Sequence, residues 1–169
     1  MLPMPGKPQP PPQSGDERAM LTTFLDFQRD VLLRKVGGLD DDGLRRVMTP
    51  SGLTLLGLLK HIAYVERYWF RSIFAGEDVT FPWTDADPDA DWRPEPGETA
   101  ERIATLYRDE VARAREITSR ASLDESSASP ASDETFRWIL FHMLEEYARH
   151  LGHADLMREF VDGRTGFSG

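Results

Sequence analysis

Apolar residues recur at intervals of three and four along four stretches of the chain, the spacing of a helix with one buried face. From about Glu17 to Val36 the pattern is carried by Met20, Leu21, Phe24, Leu25, Phe27, Val31, Leu32 and Val36. Gly37-Gly38 then supplies a stop. A second helix is expected from an N-cap at Ser51 to Ala75-Gly76. The third spans about Thr99 to Arg120, with Ile103, Leu106, Tyr107, Val111, Ala114 and Ile117 on one side. The fourth starts after a cap at Ser132 or Asp133 and runs to about Asp162-Gly163.

No segment alternates as a strand would, and no internal repeat is present. The expected fold class is therefore all-α, a four-helix bundle with long crossover connections. The longest connection, from Gly76 to Gly97, is rich in Asp and Pro and holds two tryptophans. A connection of that length is often functional. Residues 1–15 hold six of the 12 prolines and read as a disordered, extended tail that adds nothing to the core. The bundle domain is then expected over residues 16–166.

Composition narrows the function classes. The chain is 40% hydrophobic and 29% charged, as in a globular domain, with no apolar run long enough to cross a bilayer, and its first residues lack the apolar stretch expected of a secretory signal. A cytoplasmic protein is expected. The net charge of -9 repels phosphate backbones and argues against nucleic acid as a partner. There are no cysteines, so disulfides, thiolate metal sites and cysteine nucleophiles are excluded together. Any sulfur chemistry must use a thiol carried by a ligand.

Four histidines exist, His61, His142, His150 and His153, and all fall on the second and fourth helices. In His142-x3-Glu146-x3-His150-x2-His153 the four side chains project within an arc of roughly 80° at about 100° per residue. Glu146 and His150 fall on the apolar side with Ile139, Met143, Met157 and Val161. Glu145 points toward Arg149 on the solvated side. A core-facing carboxylate needs a partner or a metal. A Glu and a His one turn apart suit a single ion, and His61 lies on the inward side of the second helix near Leu58, Val65 and Trp69. His61, Glu146 and His150 are thus candidate metal ligands that leave positions open for water or substrate. The alternative is a hydrogen-bonded core cluster. Tyr64, Tyr68, Trp69, His142 and His153 are candidates for the surrounding pocket. Asp85, Asp87, Asp89 and Asp91 resemble the start of a calcium loop, but Ala90 replaces the required glycine, Pro88 interrupts, and Pro96 replaces the last ligand.

The segments FLDFQRDVLLRKVGGL, TPSGLTLLGLLKHIAYVERYWFRSIFAGED, DPDADWRPEPGETAERI and RWILFHMLEEYARHLGHADLMREFVDGRTG together resemble the DinB-like superfamily, in its actinobacterial branch. The resemblance covers about Asp16 to Gly166. It implies a four-helix bundle holding a divalent metal by three side chains, His61, Glu146 and His150. Many relatives have a His-x3-His pair where this chain has Glu146 and His150. A Glu is also used there in the similar mycothiol-dependent maleylpyruvate isomerase. His153 stands where many relatives have Gln. Characterised relatives use mycothiol or bacillithiol for S-transfer or isomerisation.

The expected function is accordingly a metal-dependent thiol S-transferase acting on a small electrophile, with Zn²⁺ the first choice of ion and Ni²⁺ the second. The thiol co-substrate, mycothiol, would gain its nucleophilic charge at the metal. The alternatives are a metal-dependent hydrolase and a non-catalytic ligand-binding or stress protein with a structural metal. A homodimer is expected because the first and third helices carry apolar residues over more than one narrow face.

Overall fold

The computed structural model describes residues 1–166. Helix α1 is Glu17–Val36, capped by Asp16, whose side chain accepts from the Ala19 amide at 2.8 Å. A short helix α2, Asp41–Arg45, lies in the connection that follows. Helix α3, Leu55–Glu66, continues without a break as a wider π-helix over Arg67–Phe74. Helices α4, Ala100–Arg120, and α5, Phe136–Asp162, complete the bundle. Among the described residues there are two isolated β-bridges and no strand. The all-α bundle expected from periodicity is the fold.

Two helix starts differ from the sequence-based expectation. Ser51 does not cap α3, because the chain doubles back just before it: Met48 donates to the Leu53 carbonyl at 3.1 Å, and Gly52 sits at φ 85°. Thr54 is the cap, accepting from the Gly57 amide at 2.9 Å. Likewise neither Ser132 nor Asp133 caps α5. Residues 125–136 are tied into a loop by Ser127 N–H to Glu134 O (3.0 Å) and Phe136 N–H to Glu125 O (2.8 Å), so Thr135 takes the role.

Side-chain contacts fix the helix directions. Arg137 pairs with Glu17 at one end and Lys35 with Asp155 at the other, so α1 and α5 run parallel. Lys60 reaches Glu98 just before α4, and Arg67 reaches Glu110 within it, so α3 and α4 also run parallel. His61 lies beside His150, and Phe74 beside Phe136, so α3 and α5 are antiparallel. The α1–α3 and α4–α5 connections each stay at one end of the bundle. The connection from Ala75 to Thr99 travels its whole length. It runs back along α3, with Glu77 bonded to Arg71, the Thr80 carbonyl to Arg67, Trp83 against Tyr64, and Asp91 on His61.

The core is built from Leu25, Leu32, Leu56, Leu59, Ile62, Phe70, Ile103, Phe136, Ile139 and Met143, among others. The N-terminal segment does contribute to it, contrary to the expectation of a tail outside the core. Leu2 is 3% exposed and packs into the main cluster. Its carbonyl accepts from Gly38 at 2.9 Å, and the Pro5 carbonyl accepts from Arg34 at 2.7 Å.

Candidate metal centre

The antiparallel crossing of α3 and α5 brings His61 level with the central turn of α5. One ligand atom each of His61, Glu146 and His150 lies within 4.8 Å of the others. The register is the one the helical period requires: Glu146 and His150 are one turn apart on the inward side. Glu145 is exposed and bonded to Arg149 at 2.5 Å.

The crossing connection completes the surroundings of His61. Asp91 is buried, and its Oδ2 lies 2.7 Å from His61 Nδ1. An ionised carboxylate there accepts the Nδ1 proton and leaves Nε2 with the lone pair, the form a metal requires. Trp92 stacks on the same imidazole at 3.6 Å between centroids and 14° between planes. The close approach depends on Gly57 in α3, where a Cβ would sit 2.1 Å from the Trp92 carbonyl oxygen. Buried Lys60 fastens the next residues, donating to Arg93 O and Glu98 Oε2 at 2.8 Å each. Its neighbourhood is thus the underside of this connection, although its place beside His61 in the sequence reads as solvated.

His150 Nε2 is 3.1 Å from Glu146 Oε2, while its Nδ1 is buried without a hydrogen-bond partner among the described residues. Burial first, then the neighbouring His61, pushes this imidazole down from 6.5 to about 4. It is therefore neutral at neutral pH, again the ligand form. Two imidazoles and a half-buried carboxylate, with one imidazole nitrogen unpartnered, make a donor set that a divalent cation fits.

Beside His61 opens a pocket of about 380 Å³, lined by Val65, Tyr68, Trp69, Trp83, Pro88 and Trp92 together with His61 and Asp91. Tyr68 and Trp69, expected at the pocket, are in its wall. Tyr64 stands behind it, edge-on to Trp83 and under the Arg67 guanidinium at 4.9 Å. His142 stacks on Trp138 at 4.9 Å, touches Trp69 at 4.6 Å, and holds Nε2 3.8 Å from Glu146 Oε1. His153 lies next to His150, with ring centroids 5.7 Å apart.

The family model described as mycothiol-S-transferase matches residues 20–163, a span that contains the three clustered donors, Asp91 and all but the first turn of α1. The chain belongs to the mycothiol-S-transferase family. This places it among DinB-like proteins, as its segments resemble. A comparison with curated proteins gives no match.

Several residues around the centre of this mycothiol-S-transferase family member escape sequence reasoning. Asp91 and Trp92 lie in a single 3-10 turn, Ala90–Trp92, too short for a periodicity to report which side chains turn inward. Directly beyond the ligands a buried polar network links α1, α3, α4 and α5. Glu66 accepts from Arg29 at 2.8 and 2.7 Å and from Tyr147 at 2.7 Å. Tyr107 lies 2.9 Å from Tyr147. Burial drives both phenols well above their ordinary range, so they stay protonated and act as hydrogen-bond links. The one available signal was a glutamate at the inward position of α3, Glu66, one turn after Ile62.

Proposed function

We propose that the protein is a metal-dependent S-transferase that joins mycothiol to a small electrophile. The observation that carries this reading is the convergence of His61, Glu146 and His150 within 4.8 Å, beside an open pocket, in a member of the mycothiol-S-transferase family. The chain has no cysteine, so the sulfur must arrive on a second molecule.

His61, Glu146 and His150 would hold the ion, Zn²⁺ by preference. A bound divalent cation supplies the Lewis acidity that ionises a thiol at neutral pH. Asp91 fixes the tautomer of His61 through its 2.7 Å contact. His142, with its side chain 22% exposed and 3.8 Å from Glu146, gives the thiol proton a route to bulk water. Trp69, Trp83 and Trp92 keep water from the electrophile. In the transfer the thiol sulfur forms a bond to the electrophilic carbon. The bond from that carbon to its leaving group breaks, the leaving group takes the electron pair, and the thiol proton goes to water.

Two finer proposals accompany this one. The protein works in the cytoplasm, where a small thiol stays reduced. No helix of the described residues is long and apolar enough to cross a membrane. It also pairs with a second copy of itself. Support for pairing comes from Phe24 on α1 and from Trp138, Phe141, Leu156 and Phe160 along the outward side of α5, all exposed. Helix α4, which the sequence pattern had implicated, carries no large exposed apolar side chain.

The test starts with the metal content of the purified protein. Mycothiol is then supplied with 1-chloro-2,4-dinitrobenzene, and the conjugate is measured. Conjugate formation should need protein, thiol and metal, and should stop on chelation. Metal-dependent hydrolysis of ester probes without thiol would replace this reading by a hydrolase. Retained metal with no turnover of either kind would replace it by a structural metal in a binding protein.

A further inference from the structure

We propose that the pocket beside His61 admits an uncharged aromatic molecule and rejects carboxylates, so that the electrophile is a neutral, flat, conjugated compound. The role of electrophile rests on the S-transferase reading; the binding selectivity stands on the pocket itself.

The walls come from two sources. Val65, Tyr68 and Trp69 come from α3 and its π-helical continuation, and Trp83, Pro88 and Trp92 from the crossing connection. The four rings present surfaces at different angles: Tyr68 meets Trp69 at 86° and Trp83 at 60°. A planar guest can therefore stack on one ring and meet others edge-on, the arrangements aromatic pairs favour. About 380 Å³ is at the small end of ligand pockets, room for one or two fused rings with substituents.

The charges decide against an anion. No Lys or Arg lines the pocket among the described residues. Cations on the same elements are already engaged: Arg67 with Glu110 at 2.6 Å, Arg93 with Asp87 at 2.5 Å, and Lys60 with Glu98 at 2.8 Å. The imidazole and the carboxylate in the wall, His61 and Asp91, hold each other at 2.7 Å. A guest carboxylate would lose water, find no cationic side chain in the wall among the described residues, and face Asp91. Asp85, Asp87 and Asp89 along the same connection, and the net charge of -9, add to the repulsion.

Two probes of the same shape separate the claims. 1,3-Dinitrobenzene is neutral and has no leaving group, and 3,5-dinitrobenzoate adds only a carboxylate. Each is titrated calorimetrically into metal-free and Zn²⁺-loaded protein, without thiol, near 0.15 M salt. The neutral probe should bind at least about tenfold more tightly in both states. Trp83→Ala, checked for unchanged helicity by circular dichroism, should weaken the neutral probe by about tenfold. Pro88→Arg, at the exposed rim, should improve the carboxylate probe and narrow the gap. Equal binding of the two probes, a preference for dinitrobenzoate on the Zn²⁺-loaded protein, binding of neither, or a Pro88→Arg variant with an unaltered gap would overturn the proposal. Because no thiol is present, these results do not depend on whether S-transfer occurs.

Discussion

Glu145 and Glu146 are adjacent carboxylates with opposite fates. One is spent on Arg149 in solvent, and the other stands between His142 and His150. About 100° of helix rotation separates them. Replacing His61, Glu146 or His150 by Ala should therefore abolish stoichiometric metal after dialysis, whereas Glu145→Ala should keep it. The reverse result for the two glutamates would refute the site. Asp91→Asn should retain the fold and weaken metal by about 10–100-fold, because it removes the charge that holds the His61 proton on Nδ1. The low position of His150 also has a consequence for the metal-free protein. Unfolded chains take up a proton near pH 6.5 that the folded imidazole accepts only near 4. Between those values the unfolded state binds more protons, so the contribution is complete above about pH 6.5 and fades as pH falls toward 4. The urea midpoint should drop across that window, and drop less in His150→Ala; parallel curves would contradict it. That His61, Glu146 and His150 come together was legible because helical period turns all three inward. Asp91 was not, since in DPDADW the aspartates are equivalent until the backbone path chooses one of them.

At the level of elements, α3 and its continuation do the most positioning. In the π-helical stretch, residues four apart share a side. Arg67 and Arg71 both reach Glu110 on α4, and Phe70 and Phe74 both pack on Phe136 of α5. An α-helical pattern does not reveal this widening, because either period keeps Phe70, Ile73 and Phe74 inward. The helix ends were less legible than the helices: Ser51 and Thr54 are equally good caps by residue type, and only the turn around Gly52 decides between them. Gly57 is where α3 and the connection touch backbone to backbone. Gly57→Ala forces either the helix or Trp92 to move, because the new atom would lie 2.1 Å from a carbonyl oxygen. The expected cost is about 1–3 kcal/mol in urea unfolding. Metal affinity should fall with it, since Asp91 is the neighbour of Trp92. If both measurements match the wild type, the connection is not held where the structure has it.

Across the whole molecule, residues far apart in the chain meet at both ends. Leu2 fills a place in the core beside the turn that ends α1, so deleting residues 1–5 should lower the unfolding free energy by about 1.5–3 kcal/mol, the value of burying one leucine. Metal content should not change; an unaltered midpoint would return the segment to the status of a free tail. Proline content announced a segment without helix but could not reveal that its second residue finds a hydrophobic slot. Pairing of two copies is checked by light scattering: the 19.2 kDa chain should run at twice its mass, and Phe160→Glu should bring it toward the monomer. A persistent monomer at high concentration would rule pairing out. The crossing connection carries one further consequence. The three proposed metal donors stand on helices, whereas Trp83 and Pro88 stand on a connection that runs back along α3. On the proposed reading, part of the selectivity is thus written on a different stretch of chain from the reactive centre. Residues 79–88 could be exchanged for another sequence of equal length, with the Asp91-Trp92 clasp kept, and the same reactive centre would be offered to a different guest.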